Sequence, residues 1–174
     1  MLFAVTAFLS MWISNTATAA MMLPLAMGMM SHLDQEKERK TYVFVLLGIA
    51  YCASIGGLGT VVGSPPNMIA AKALNLDFIG WMKLGLPMML LILPLMLFSM
   101  YVILKPNLNE RVEVKAESIP WTLHRVIALL IFLAAAIAWV FSSKIKAAFG
   151  ISNPDTVIAL IAAVAVVVFG VAQW

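Results

Sequence analysis

Long apolar runs separated by short polar connectors set out this chain. Residues 1–30 are largely apolar, interrupted by the polar tripeptide Ser14-Asn15-Thr16. A connector at 31–40 (SHLDQEKERK) holds three basic and three acidic residues. Residues 41–74 form a second greasy run, interrupted by Gly56-Gly57-Leu58-Gly59-Thr60-Val61-Val62-Gly63-Ser64-Pro65-Pro66-Asn67. After a short connector at 75–80 come full spans at 81–104 and 121–142, separated by a polar linker at 105–120. A connector at 143–155, in which Asn153-Pro154-Asp155 starts a helix, leads to a last apolar run at 156–174.

The first two runs have awkward lengths for simple spans. Residues 1–13 make a helical arm of about 20 Å, too short for a hydrocarbon core of about 30 Å. Residues 41–74 would make a straight helix of about 50 Å, far too long. The expected elements are a re-entrant hairpin at 1–30 with Ser14–Thr16 at its tip, and a broken helix with arms at 42–58 and 65–74. One continuous helix over 1–30 is the alternative, which periodicity cannot separate in a largely apolar run. Pro24 would loosen the return arm. Pro87 and Pro94 would bend a scaffold helix flanked by Trp81, Lys83, Tyr101 and Lys105 at the interfaces.

Hydrocarbon offers no water to a freed backbone group, so irregular backbone at that depth is expected buried in protein or lining a cavity. Ser14, Asn15 and Thr16 are N-cap residue types ahead of an alanine-rich helix. Ser64 is placed to cap the next helix, with Pro65 at its first position. Both breaks thereby set a helix N-terminus inside the membrane, where free N–H groups favour an anion without any Arg or Lys. Freed carbonyls with the Ser14 and Asn15 oxygens suit a hard cation such as sodium. Asn67 is expected to brace the loop or face the cavity. Paired interruptions of this kind point to a transporter's binding site.

Composition narrows the class. Of 174 residues 63% are hydrophobic and only 11% charged, which is the balance of an integral membrane protein. The net charge of +3 sits in connectors and forms no stripe for nucleic acid. Cys52 is the single cysteine, which excludes an intrachain disulfide, and the thirteen methionines read as packing residues. The N-terminus lacks the basic start of a signal peptide. His32 reads as a solvated loop residue, and His124 and Arg125 as interfacial anchors. No nucleophile–base pair or metal cluster indicates an enzyme, and Gly63 followed by Ser64-Pro65 departs from a phosphate-binding loop.

Ser10-Met-Trp-Ile-Ser14-Asn15-Thr16-Ala-Thr18-Ala-Ala-Met-Met-Leu-Pro24, followed by Ile55-Gly-Gly-Leu-Gly-Thr60-Val-Val-Gly63-Ser64-Pro65-Pro66-Asn67, resembles the first half of a divalent anion–sodium symporter. The resemblance implies an all-α polytopic membrane protein: a re-entrant hairpin, a broken helix and scaffold transmembrane helices, together half of an inverted-repeat transporter. It implies a transport-type segment at 1–74 and a scaffold-type segment at 75–174. It implies sodium as coupling ion, no organic cofactor, a small dianionic substrate (dicarboxylate, citrate or sulfate) and the plasma (inner) membrane. By matching positions, Ser10, Ser14, Asn15 and the Gly63 carbonyl would hold sodium. Asn15, Thr16 and Ser64 would contact the substrate carboxylate, with Thr60, Pro65, Pro66 and Asn67 as the supporting loop.

The chain departs from that family in having no second Ser-Asn-Thr, since Ser152-Asn153 runs into Pro154. With the abrupt stop at Trp174, this leads to the expectation of a truncated chain whose partners are lipid, a missing C-terminal half and, in the complete protein, a second copy as a homodimer. Basic residues are slightly richer in the 31–40 and 105–120 connectors, which favours a cytoplasmic side for both. A proton-coupled or other anion carrier of the same architecture, and a non-transporting membrane fragment, are the alternative functions.

Overall fold

The computed structural model describes residues 1–31, 33–107, 122–150 and 153–170. Among these the chain is built of helices: α1 Leu2–Ser10, α2 Asn15–Met29, α3 Arg39–Gly56, α4 Pro65–Ala73, α5 Phe78–Leu104, α6 Leu123–Val140, α7 Ser142–Phe149 and α8 Pro154–Val168. Its contacts define two units, Met1–Leu76 with Gly80–Lys115, and Asp77–Ile79 with Ala116–Trp174.

In the first unit α1 and α2 are separate arms, and both pack on α3 and on each other. The first arm stops at Ser10, earlier than residue 13. The N–H groups of Met11 and Trp12 bond back to Phe8 and Leu9 carbonyls (3.3 and 3.0 Å), which tightens the chain into a turn. Ser14 then takes an extended conformation (φ −56°, ψ 144°) and caps α2, so Asn15 and Thr16 belong to the first turn of α2 rather than to the tip. Residues 1–30 are therefore not one continuous helix.

The core of this unit gathers Met22, Ala26, Met30, Tyr42 and Ile49, with Leu2, Phe3 and Leu9 of α1 against them. Phe3 meets Phe44 edge to face at 5.5 Å. At Gly56 an added Cβ would fall on the Ala7 backbone, so a side chain there would hold α1 away from α3. The Tyr42 hydroxyl donates to the carbonyls of Met30 (2.7 Å) and Leu33 (3.3 Å), which closes the connector leaving α2.

The broken helix follows the expected plan. α3 passes into a 3₁₀ turn, Gly57–Gly59, and the chain restarts as α4 at Pro65. Side chains replace the missing helical bonds. Asn67 Nδ2 donates to the carbonyls of Gly57 (2.6 Å) and Thr60 (2.8 Å), and Trp81 Nε1 donates to that of Leu58 (3.0 Å). Trp81, expected only at an interface, thus holds the break together. Ser64 occupies the N-cap position of α4 but makes no side-chain cap bond. The reason is local: Pro65 and Pro66 have no N–H, and the Asn67 N–H bonds the Ser64 carbonyl instead (3.0 Å).

Among the described residues three helices are long and apolar enough to cross a membrane: Arg39–Gly59 counted with its 3₁₀ turn, Phe78–Leu104 and Leu123–Val140. The pair α7 and α8, bent by 102°, would make a fourth. Leu84, Met88, Leu91, Leu95 and Phe98 of α5 are exposed, a face suited to hydrocarbon. In the second unit Phe78 stacks on Trp139 at 5.8 Å, and Trp139 Nε1 donates to the Asp155 carbonyl (3.1 Å). The expected connector at 143–155 is in part helical. α7 forms there and ends at Gly150, whose left-handed φ of 67° suits glycine. The 105–120 linker from 108 on, His32, Ser152 and the last residues of the 156–174 run lie outside the described residues.

Candidate functional site

The turn between α1 and α2 lies against the break between α3 and α4, and Thr60 joins them. Its hydroxyl donates to the Met11 carbonyl and accepts from the N–H groups of Val62 (3.2 Å) and Gly63 (3.1 Å). Thr60 is fully buried. One hydroxyl therefore fixes the loop before Gly63 to the end of the first arm.

Beside it is a cluster of oxygen acceptors. Ser10 Oγ, fully buried, donates to the Ala53 carbonyl at 2.6 Å. One end of the Asn15 amide sits 2.8 Å from Ser10 Oγ, 3.1 Å from the Ala53 carbonyl and 3.3 Å from the Gly63 carbonyl. All three neighbours are acceptors. With its nitrogen at that end, Asn15 donates to each of them. With its oxygen there, four oxygens converge and share a single hydroxyl proton, which is the donor set a hard cation prefers.

The other sequence-predicted residues divide into two groups. Thr16 is exposed and lines an open recess of about 510 Å³ between α2 and α3, with Asn15 at the same end. Ser14 stands apart from the oxygen cluster, because its Oγ accepts from the Ala17 N–H (3.3 Å) and its side chain is exposed. Ser64 is half-buried and is not among the residues lining that recess. Pro65 and Pro66 are exposed at the start of α4. Asn67 is buried and braces the loop.

Sequence reasoning missed the Ala53 carbonyl and Ser54, which also lines the recess. Both lie inside the regular part of α3, where no break draws attention to them.

The whole chain, residues 1–174, matches the profile of the CitMHS citrate transporter family. The chain belongs to that family. It is 52% identical to an uncharacterized transporter of Haemophilus influenzae over 99% of this chain and 39% of that relative. A low-affinity phosphate transporter of Saccharomyces cerevisiae is 27% identical over 88% of this chain and 18% of its own length. A sodium-dependent dicarboxylate transporter of Staphylococcus saprophyticus is 27% identical over 78% of this chain and 30% of its own length. This citrate transporter family chain thus spans about two fifths or less of each relative. Membership and the apolar helices together make it an integral membrane protein.

In a citrate transporter family member the Thr60 contacts allow a clean comparison. Thr60→Val keeps the shape but strips partners from the Met11 carbonyl and two N–H groups, each orphan costing about 1–3 kcal/mol. Thr60→Ser keeps the hydroxyl. The valine variant is expected to lose several degrees of thermal stability in detergent and the serine variant to stay near the parent, as read by tryptophan fluorescence during melting.

Proposed function

We propose that this chain carries one ion-and-substrate site of a sodium-coupled carrier for small divalent anions, in the plasma membrane. The observation that carries the reading is the convergence on one end of the Asn15 amide of Ser10 Oγ (2.8 Å), the Ala53 carbonyl (3.1 Å) and the Gly63 carbonyl (3.3 Å), with Ser10 Oγ 2.6 Å from the Ala53 carbonyl. These groups are neutral dipoles. They fit sodium better than a transferable proton, because no carboxylate or imidazole is among them. Bound sodium would supply the positive charge that an incoming dianion needs in a low-dielectric setting.

The residues present divide that work. Ser10 and Gly63 hold the cation side. Asn15 lies between the oxygen cluster and the recess, so its amide serves both. Thr16 offers a hydroxyl and the α2 N-terminus offers backbone dipole to the anion. At α4 the two prolines remove N–H donors, so a contribution there falls to the Ser64 hydroxyl. Residues 1–74 act as the transport-type segment and 75–174 as scaffold, with an inverted second half completing the cavity in the full-length carrier.

The transporter encoded by the whole gene containing this chain, reconstituted in liposomes, tests this. An inward sodium gradient is expected to drive uptake of at least one of succinate, citrate, phosphate and sulfate, and choline in place of sodium to abolish it. Uptake driven by a pH gradient and indifferent to sodium would replace this reading with a proton-coupled carrier.

A further inference from the structure

Hydroxyl groups near the two breaks differ in their partners. Four are committed to the protein, while those of Thr18, fully buried, and Ser64, half-buried, make no side-chain hydrogen bond among the described residues. Ser10 donates to Ala53, Thr60 to Met11 and Thr6 to the Leu2 carbonyl (2.9 Å), while Ser14 caps α2. Thr16 and Ser54 are different. Each is exposed, each lines the recess beside Asn15, and neither hydroxyl makes a hydrogen bond among the described residues.

Ser54 is unusual for its position. Serine inside a helix commonly bonds back to the carbonyl one turn earlier, and in hydrocarbon an idle hydroxyl is costly. The face of α3 that lines the recess carries Leu46, Ile49, Ala50 and then Ser54, one helical stripe. Three members are apolar. The only polar one stands at the end where α2 brings Asn15 and Thr16. Ser54 also directly follows Ala53, whose carbonyl belongs to the oxygen cluster.

We propose that Ser54 is a further substrate-binding residue, its Oγ–H donating to the anion held by Asn15 and Thr16. This rests on the carrier function proposed above. It places three donors from two different helices around one anionic group, close to the cation that offsets its charge. Recognition then depends on the distance between α2 and α3 as well as on the motif at the start of α2.

Two variants of the full-length transporter test this. Ser54→Cys introduces a thiol at the recess, while the native Cys52 is fully buried and serves as the unreactive background. In a version lacking other accessible cysteines, a negatively charged methanethiosulfonate reagent is expected to label residue 54. The transported dianion plus sodium is expected to slow labelling severalfold, and sodium with chloride not to slow it. Ser54→Ala is expected to raise KM by about tenfold with little change in kcat, because a hydrogen bond to a charged group is lost. Ser54→Thr, which restores the hydroxyl, should recover most of that loss. Labelling unaffected by dianion, failure of residue 54 to label, or an unchanged KM in the alanine variant would each overturn the assignment while parental sodium-driven uptake persists. Absence of dianion uptake by the parental protein would instead overturn the carrier function, and this assignment with it.

Discussion

Replacing Asn15 with alanine is expected to abolish sodium-dependent anion binding by the full-length transporter. Among the described residues no other side chain touches Ser10 Oγ and the carbonyls of Ala53 and Gly63 together while also lining the recess. Stripping a partner from a buried charge costs on the order of 2–5 kcal/mol, or about thirtyfold to several thousandfold in affinity. In the function proposed above one amide serves both the cation and the anion, so both affinities should fall together. Isothermal titration of the purified protein with the transported dianion, at high and at zero sodium, reads this directly. Asn15→Asp separates the two roles. Its carboxylate keeps oxygens for the cation but offers no N–H to the anion, so sodium binding should survive while dianion binding is lost. Dianion binding by Asn15→Ala that is as tight and as sodium-dependent as in the parent would remove Asn15 from the site.

The division of the chain into helices was largely legible, because apolar runs too short or too long for a bilayer betray their own breaks. The position of the first break was displaced, with the turn at residues 11–14 and Asn15 already helical. Cap chemistry marks where a helix begins, and Ser14 was readable for that reason; nothing marks the tightening of the preceding residues. Ser64 shows the opposite failure. Its residue type suits a cap, but the two prolines after it remove donors a cap would serve. Asn67 and Trp81 show a third kind of limit. Their partners, the freed carbonyls of Gly57, Leu58 and Thr60, exist only once the break has folded. The oxygen cluster was legible through Ser10, Asn15 and Gly63. The Ala53 carbonyl was not, since any residue type can present its backbone.

A methyl group added at Gly63 is expected to do as much damage as loss of the Asn15 amide, by a different route. A Cβ at this position would lie 2.5 Å from the Gly57 carbonyl oxygen and 2.8 Å from that of Ser10. Both are backbone atoms, one on each side of the site, and neither can rotate away. The loop must therefore move, and forced overpacking of this kind costs about 1–3 kcal/mol. The Gly63 carbonyl would shift with it, out of reach of Asn15, and the Gly57 carbonyl would be pulled from Asn67 Nδ2. Gly63→Ala should consequently lose thermal stability and, on the sodium site proposed above, the stabilisation expected of sodium in the parent. Gly28→Ala is the matching control. Gly28 lies inside α2 with nothing within 4 Å of its added Cβ, and alanine there gains up to about 1 kcal/mol of helix propensity. Melting each variant with and without sodium distinguishes the cases. A Gly63→Ala protein that melts like the parent and is still stabilised by sodium would mean that the Gly63 carbonyl neither bounds the site nor faces the ion.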